Sequence, residues 1–317
     1  EQPPTLTLRA RDLIWIEPPQ GELIKLTRLE GRREVSARYT GELYVVSTGE
    51  GLSVASELNI ETLIEGVVPS ELYRSAPTEA LKAQAIAARS YALVNLGRRH
   101  LTDPYMFCAS SHCQAYKGVD HHHPHTSAAV KATSGVTLVS AQGSPLNAVY
   151  SSTCGGHTEA YHMIWGGEPQ AHLRGIEDNS LSSQQEVTSS SLDSFIKVPT
   201  SSFCQQPKRT FRWSALRSRA ELTKGLKKIR EVSERVGEVR RFEVLKRGVS
   251  GRVIAVRYHG DQGSALVYGE LKNRKVMGLK SGLWRVEERC GASPCEGQAL
   301  TGWRFEGGGF GHGVGLC

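Results

Sequence analysis

The stretch that decides the fold is PTEALKAQAIAARSYALVNL, Pro77–Leu96, the clearest helical pattern in the chain. Thr78 is the expected N-cap, and Glu79 lies in the first turn, where the helix dipole favours an acidic residue. Lys82 and Arg89 are two helical turns apart and are expected on one face. Small and apolar residues recur at helical spacing and predict a narrow seam that another element can approach closely: Leu81, Ala85, Ala88 and Ala92.

Before this helix, alternating polar and apolar residues predict a series of short strands over Thr5–Val54, beginning with Thr5–Ala10. A short amphipathic helix, Asn59–Val67, is expected to be stopped by Pro69. After the helix come a loop region, Leu101–Ser127, and two strand candidates: Thr137–Ser140 and Leu146–Ser151.

The second half of the chain has a different pattern. Ser180–Ser194 is polar and serine-rich, as in a linker or an exposed crossover. A charged helix at Ala220–Val236 is expected to precede three alternating strands: Arg241–Leu245, Val253–Tyr258 and Ala265–Tyr268. The sequence therefore predicts an α+β fold with mixed, mainly antiparallel strands and a few helices, including an inserted β-rich subdomain.

The composition is that of an ordinary globular protein, with 39% hydrophobic and 22% charged residues among 317. The net charge of +7 is spread along the chain, so it favours a solvated basic face over a nucleic-acid partner. No apolar run approaches the roughly 18 residues of a membrane-spanning helix. The start, Glu1–Pro4, predicts a processed terminus from which any export signal has been removed.

Glu71 is the first candidate for chemistry, because it follows Pro69 and Ser70 and has apolar neighbours in sequence. A carboxyl group held among apolar side chains is more easily protonated, and it can then donate a proton to a glycosidic oxygen. The alternative is a structural role at a helix start, with Ser70 as the cap and Glu71 in the first turn.

The cysteines raise a choice between metal and disulfides. Seven are present, and Cys108/Cys113 and Cys290/Cys295 form close pairs. Together with His112, Cys108 and Cys113 offer soft ligands that suit Zn²⁺, with Cys154 or His157 as a candidate fourth ligand. A disulfide within this group is an equally good interpretation of the residues alone. The nearby run His121–His125 is expected to be an exposed loop rather than a metal site.

Gly307–Gly315, near the end of the sequence, is dense in glycine around His312. Its spacing does not match a dinucleotide-binding loop, and the acidic residue such a fold requires about 20 positions later is missing. The glycines predict instead a tight backbone lining a cleft, with His312 either facing a ligand or buried as a structural histidine.

The ordered set of these stretches resembles the SpoIID/LytB family of bacterial cell-wall proteins. The resemblance extends over most of Leu58–Gly315, and it is carried by the following segments: Gly66–Leu72, Glu79–Ala92, Cys113–Gly118, Ala132–Gly135, Tyr150–Glu159 and Gly309–Gly315. It implies a lytic transglycosylase that cleaves peptidoglycan between MurNAc and GlcNAc, preferably in strands free of stem peptides, with 1,6-anhydroMurNAc as product. It also implies an extracytoplasmic location and a cell-wall amidase as a possible partner, in sporulation or general wall remodelling.

The resemblance assigns roles to individual residues. Glu71 is the implied catalytic acid, and zinc is the implied metal at Cys108, Cys113 and His112. Lys82 and Arg89 are expected to orient the lactyl carboxylate of the muramyl sugar, and His312 to bind a sugar hydroxyl. The remaining residues expected to contact substrate are Gln84, Tyr91, Tyr116, Ser151 and His157.

The expected organisation is an N-terminal β-rich segment at 1–57, a catalytic core at 58–180, a helix-plus-strand subdomain at 195–300 and the Gly-His segment at 301–317 returning to the cleft. In the family the glycine segment continues into a further helix, whereas this sequence stops at Cys317, which is expected to reflect truncation. The competing hypothesis is a LytB-like amidase enhancer that binds glycan and cleaves nothing.

Overall fold

The computed structural model describes residues 12–30, 32–48, 51–180, 183–197, 201–290 and 300–317. They form an α+β protein whose sheets are antiparallel. The chain divides into two compact units, Glu1–Val149 and Tyr150–Cys317, and the boundary falls inside the segment predicted as the core. No helix in the described part of the chain combines the length and apolar character needed to cross a bilayer.

The first unit begins with strands and ends with helices. Its elements are β1 (Leu13–Ile16), β2 (Ile24–Glu30), β3 (Arg33–Tyr39), β4 (Leu43–Thr48), β5 (Gly51–Ser56), α1 (Ile60–Glu71), α2 (Thr78–Asn95) and α3 (Pro124–Ala132). The strands predicted within Thr5–Val54 are confirmed from β1 onward, whereas Thr5–Ala10 lies outside the described residues. They do not form a simple series, because β1 pairs with β4 in a β1-β4-β5 sheet while β2 and β3 form a separate hairpin.

Helix α2 buries the seam that its sequence predicts. Leu81, Ala85 and Ala88 are fully buried, and α2 packs against both α1 and α3. The predicted cap is one residue off: Pro77 occupies the N-cap position, and the Thr78 hydroxyl lies 3.2 Å from Nε2 of His125. The small side chains of the seam let neighbouring helices approach closely, which brings α1 and its last residue against the segments that follow α2.

Helix α1 continues two residues beyond Pro69, contrary to the expected stop. The proline removes a single backbone donor close to the helix end. The last turn still closes, because the N–H of Leu72 donates to the carbonyl of Val68 at 3.0 Å. Glu71 is therefore the final residue of a helix and not the first residue of the next one.

The run His121–His125 is also more ordered than expected. A 3₁₀ turn, Val119–His121, ends at the first residue of this run, and His123 caps α3, with its ring nitrogen accepting the N–H of His125 at 3.3 Å. Pro124 occupies the first turn of α3, where the missing N–H costs nothing. The prediction of an exposed loop was wrong because the ring of His123 acts as a helix cap. The candidates Thr137–Ser140 and Leu146–Ser151 do not form regular strands: Val139 makes an isolated β-bridge with Pro145 across the turn between them, and Tyr150 makes another with Leu316.

The second unit contains two antiparallel sheets, β10-β11-β6 and β7-β8-β9. The elements are α4 (Tyr161–Trp165), α5 (Leu192–Lys197), α6 (Lys208–Phe211), β6 (Arg212–Ser218), α7 (Arg219–Leu226), α8 (Arg230–Val236), β7 (Val239–Arg247), β8 (Val253–Gly260), β9 (Ser264–Tyr268), α9 (Glu270–Met277), β10 (Trp284–Arg289) and β11 (Gly302–Gly308). The three predicted strands correspond to β7, β8 and β9. One core contains aromatic and aliphatic side chains from both sheets, including Trp213, Tyr258, Trp284, Trp303 and Phe305.

The single charged helix predicted at Ala220–Val236 is two helices, α7 and α8, separated at Lys227–Ile229. Helix α7 packs closely on α9 at Gly225, where a Cβ atom would lie 1.9 Å from the carbonyl oxygen of Val276. The Ser-rich segment after 180 is also partly structured, because Leu192 begins α5 and is buried. The charge pattern alone did not reveal the break between α7 and α8, and the serine content did not reveal that Leu192 is buried.

Candidate functional site

Glu71 is the last residue of α1, and the turn that precedes it is buried and apolar. Val67 and Val68 have no exposed surface, and the hydroxyl of Ser70 donates to the carbonyl of Gly66 at 2.8 Å. Gly66 is required here, because a Cβ atom would lie 2.3 Å from the ring of Tyr116. The helix thus positions Glu71 from one side, while Tyr116 packs against the same turn.

One backbone amide holds the carboxylate of Glu71. The N–H of Ala115 donates to Oε1 of Glu71 at 2.6 Å, and nothing else in the described residues hydrogen-bonds to this carboxylate. The side chain is half-buried. Since Glu71 ends α1, the capping alternative is wrong: an anionic side chain at a helix C-terminus faces the negative end of the dipole and does not stabilise the helix.

The segment that carries Ala115 also carries a group of four metal-type ligands, which we call the loop cluster: His100, Cys108, His112 and Cys113. Their ligand atoms all lie within 4.8 Å of one another. Nε2 of His100 is 3.2 Å from Sγ of Cys113, and Nδ1 of His112 is 3.7 Å from both sulfur atoms. Two thiols and two imidazoles form a complete donor set for tetrahedral Zn²⁺.

His100 is the ligand that the sequence did not reveal. Nδ1 of His100 lies 2.7 Å from the carboxylate of Asp103, which leaves Nε2 to face the thiols. A carboxylate on the far ring nitrogen is the usual orienting partner of a metal-binding histidine. Among the described non-glycine residues, only His100 has a positive φ, +53°, and this left-handed conformation turns its ring toward the cluster.

The pKa values of the two thiols in the loop cluster are shifted in opposite directions. The carboxylate of Asp103 raises the pKa of His100 by hydrogen bonding. Burial opposes ionisation of Cys108, yet hydrogen bonds from Ser110 and His112 outweigh it and lower the pKa of this thiol to about 5. Burial raises the pKa of Cys113.

Several of the residues expected to contact substrate have structural partners in the first unit. Arg89 is 1% exposed and makes two 2.8 Å hydrogen bonds to the carboxylate of Glu61. Lys82 is more exposed and pairs with Glu79 at 2.8 Å, so the two basic side chains do not present a common surface. The guanidinium also donates to the carbonyl of Val136, so the buried side chain has partners for its charge and its N–H groups.

Three more of the residues expected to contact substrate are buried in the first unit: Gln84 and Tyr91 of α2, and Tyr116. Gln84 is 6% exposed, and its amide nitrogen has no hydrogen-bond partner in the described residues. Tyr91 lies in the α2 packing surface. Burial raises the pKa of Tyr116 to about 12, so its phenol is neutral, and its hydroxyl has no partner within the described part of the chain.

In the second unit, His312 lies in the glycine segment after β11. Its ring packs edge-on against Trp165 at 4.8 Å, and its Nδ1 accepts the N–H of Val314 at 3.0 Å. Desolvation, with the nearby charges of Arg252 and Arg274, lowers the pKa of His312 to about 3, so the ring is neutral at physiological pH. A neutral imidazole whose Nδ1 is an acceptor carries its proton on Nε2.

Ser151 and His157 precede α4 in the same unit. The hydroxyl of Ser151 is buried and has no partner in the described residues. His157 is 1% exposed, and its two ring nitrogens lie 2.7 and 2.9 Å from the backbone carbonyls of Thr158 and Gln185. With both nitrogens occupied, His157 is not the fourth metal ligand that the sequence suggested. Cys154, the other candidate, is grouped with Asp178, Cys204 and Cys317.

Two family models match the chain. One, described as stage II sporulation protein (SpoIID), matches residues 48–139 and so includes α1, α2 and the loop cluster. The other, a domain of unknown function (DUF8618), matches residues 159–315.

Two relatives match parts of the chain. An uncharacterized protein of Brachyspira hyodysenteriae is 32% identical over 128 residues, which are 40% of this chain and 34% of the relative. A protein named amidase enhancer, from Bacillus subtilis, is 38% identical over 102 residues, 32% of this chain and 13% of the relative. The chain thus covers about a third of one relative and about an eighth of the other.

Proposed function

We propose that this chain, a member of the SpoIID/LytB family through residues 48–139, acts on the bacterial cell wall as a peptidoglycan lytic transglycosylase. The observation that carries the proposal is the position of Glu71. Its carboxylate is half-buried at a helix end, does not stabilise that helix, and is held by one backbone N–H at 2.6 Å. A carboxyl group arranged in this way is available to exchange a proton with a bound ligand.

The proposed reaction needs one carboxyl group. Glu71, as the acid, protonates the glycosidic oxygen that leaves the anomeric carbon of MurNAc. The resulting carboxylate then removes the proton from the C6 hydroxyl of the same sugar, which attacks that carbon and closes the 1,6-anhydro ring. Hydrolysis by the common two-carboxylate route would need a second acidic group across the bond to activate water. Intramolecular ring closure avoids that requirement.

The N–H of Ala115 contributes by holding one carboxylate oxygen. This hydrogen bond to Oε1 fixes the direction in which the other carboxylate oxygen points. We keep His312 as a proposed glycan-binding residue because of the family resemblance; its remaining ring N–H faces the backbone of Tyr150, so it would have to exchange that partner for a sugar hydroxyl.

Digestion of purified glycan strands tests the reaction. The protein is expected to release fragments with 1,6-anhydroMurNAc ends, identified by mass spectrometry, faster from strands stripped of stem peptides by an amidase than from intact peptidoglycan. Fragments with reducing MurNAc ends would instead identify a hydrolase and contradict the proposal.

The name of the Bacillus subtilis relative favours a second candidate, a non-catalytic amidase enhancer. In that case the protein would bind glycan strands or a cell-wall amidase and increase amidase turnover. Glycan binding in a sedimentation assay with no product from the wild-type protein, together with faster product release by an added amidase, identifies this function. Either role requires an extracytoplasmic location, which we include in the proposal.

We also propose that Zn²⁺ occupies the loop cluster with His100, Cys108, His112 and Cys113 as ligands. Bound zinc would supply structural bracing, since four protein ligands leave no position open for substrate. The chain between Cys113 and Ala115 is one residue long, so ordering of the cluster also orders the N–H that holds Glu71.

Substitution of Asp103 tests this site without removing a ligand. Asp103→Asn is expected to weaken zinc binding about 10- to 100-fold, because His100 loses the carboxylate that orients its ring. Competition with a chromophoric chelator measures the affinity. His121→Ala is the matched control, since His121 lies outside the cluster and its loss is expected to leave the affinity unchanged. Equal affinities for Asp103→Asn and the wild type would contradict the assignment.

A further inference from the structure

The second unit contains another group of potential ligands, which we call the three-thiol cluster: Cys154, Asp178, Cys204 and Cys317. The three sulfur atoms and a carboxylate oxygen all lie within 4.8 Å of one another. They come from separate parts of the sequence: the turn before Gly155, the segment before α5, the 3₁₀ turn Phe203–Gln205, and the end of the glycine segment. The fold, not local spacing, brings them together.

The distances within the cluster fit a tetrahedral metal site. Sγ of Cys154 and Sγ of Cys204 are 3.4 Å apart. Around Zn²⁺, with a Zn–S bond of about 2.3 Å, two sulfur ligands are roughly 3.8 Å apart. A disulfide could join two of the thiols, but it would leave the third sulfur and a carboxylate close to it with no role.

The surrounding backbone is arranged to support these ligand atoms. The N–H of Cys154 donates to Sγ of Cys317 at 3.1 Å, and the N–H of Cys204 donates to Oδ2 of Asp178 at 3.0 Å. The backbone of Asp178 is fixed at both ends, since its N–H donates to Gly156 and its carbonyl accepts from Phe203. Hydrogen bonds of this kind orient ligands around metals and stabilise thiolates.

The charges of the neighbours also suit a cluster of anions. The buried guanidinium of Arg252 donates to the carbonyl of Cys154 at 2.5 Å, and that of Arg212 donates to the carbonyl of Gly155 at 2.9 Å. Three thiolates and a carboxylate carry a charge of −4, of which a divalent cation neutralises half. The guanidinium of Arg212 interacts with both Cys204 and Cys154 and offsets part of the remainder, whereas that of Arg252 also interacts with the buried carboxylate of Glu270.

We propose that Cys154, Asp178, Cys204 and Cys317 form a structural Zn²⁺ site. Three thiolates and one carboxylate complete a tetrahedron, so no coordination position remains for substrate or water. The site joins the turn after Thr153 to the end of the glycine segment. These same segments pair through β-bridges between Thr153 and Phe310 and between Tyr150 and Leu316. Zinc would therefore hold together the bridged segments on either side of His312.

This site is independent of the proposed transglycosylase reaction and of the loop cluster. Cys108→Ser removes a ligand from the loop cluster only, so it provides the background in which to count metal at the three-thiol cluster. The full chain is purified under reducing, metal-free conditions, loaded with Zn²⁺ and desalted, and its zinc is measured by mass spectrometry. The Cys108→Ser protein is expected to retain one equivalent of zinc at the three-thiol cluster.

Replacing a ligand of the three-thiol cluster in this background then tests whether the remaining zinc is bound there. Cys108→Ser/Cys317→Ser is expected to lose that zinc, and Cys108→Ser/Asp178→Asn to bind it at least about 10-fold more weakly. Cys317 is exposed, so its substitution is not expected to disturb the core, and circular dichroism verifies the fold of each variant. Co²⁺ bound by thiolates gives a sulfur-to-cobalt charge-transfer band, and the band of the Cys108→Ser protein is expected to weaken strongly in Cys108→Ser/Cys317→Ser.

Two outcomes overturn the proposal. The first is zinc content and cobalt spectra that are unchanged when Cys317 or Asp178 is replaced. The second is a folded, metal-free protein in which peptide mapping by mass spectrometry reveals a Cys154–Cys204 disulfide that added reductant and zinc do not convert to a metal site.

Discussion

Glu71→Gln is expected to lower the rate of anhydro-glycan release by at least about 10³-fold while leaving the fold unchanged. Glutamine has the size of glutamate, and its side-chain oxygen can still accept the N–H of Ala115 that lies 2.6 Å from Oε1 of Glu71. It cannot donate a proton as an acid or remove one as a base, so both halves of the proposed reaction fail. The measurement is the initial rate of formation of 1,6-anhydroMurNAc ends on stem-peptide-free strands.

Glu79→Gln is the matched control. Glu79 is an exposed glutamate in the first turn of α2, with 83% of its side chain accessible, so its neutralisation is expected to leave the rate within about twofold of the wild type. Undiminished product release by Glu71→Gln would eliminate Glu71 as the catalytic acid. Loss of product accompanied by loss of helical structure would point to a structural role, which circular dichroism distinguishes.

Arg89→Ala is expected to lower the free energy of unfolding by about 3 kcal/mol. The guanidinium is 1% exposed, makes two hydrogen bonds to Glu61 and donates a third to Val136. Its removal leaves the carboxylate of Glu61 without its partner and opens a cavity between α1, α2 and the turn after α3. Urea denaturation measures the change, and an unchanged denaturant slope would indicate that the unfolded state is not affected.

Lys82→Ala distinguishes a buried ion pair from an exposed one on the same helix. Lys82 pairs with Glu79 at 2.8 Å near the surface, and such pairs contribute less than about 1 kcal/mol. If Arg89→Ala retained full stability but lost affinity for glycan, Arg89 would be a substrate ligand, as the family resemblance implies. If Lys82→Ala lost affinity at unchanged stability, the substrate would bind the exposed side of α2.

Local structure could be predicted from the sequence where the apolar residues follow a single regular period. The alternation in β7, β8 and β9 and the small-residue seam of α2 each specify a strand or a helix face through a regular period. Prediction failed where the outcome depended on where a helix ends or breaks. Pro69 did not stop α1 because only two helical residues follow it and their turn still closes, and the charged segment after Arg219 became two helices.

The candidate site shows the same limit. Glu71 and Cys113 lie in segments with a family resemblance, and Cys108 forms a close pair with Cys113, so all three could be singled out from the sequence. His100 could not, because it lies eight residues before Cys108 and reaches the cluster only through a left-handed backbone conformation. Cys204 and Cys317 were visible as cysteines, but nothing in their spacing related them to Cys154 or Asp178.

The pairing of Tyr150 with Leu316 and of Glu159 with Val314 has a consequence for the way the second unit folds. These contacts join residues more than 150 positions apart in sequence, so they form only after a large loss of chain entropy. During synthesis the helices of the first unit, whose contacts are more local, can assemble while the ribosome is still translating the second. The segment around Ser151 must wait for the last residues of the glycine segment to emerge. We therefore expect refolding from denaturant to have a fast phase from the first unit and a slower phase from the closure of the second.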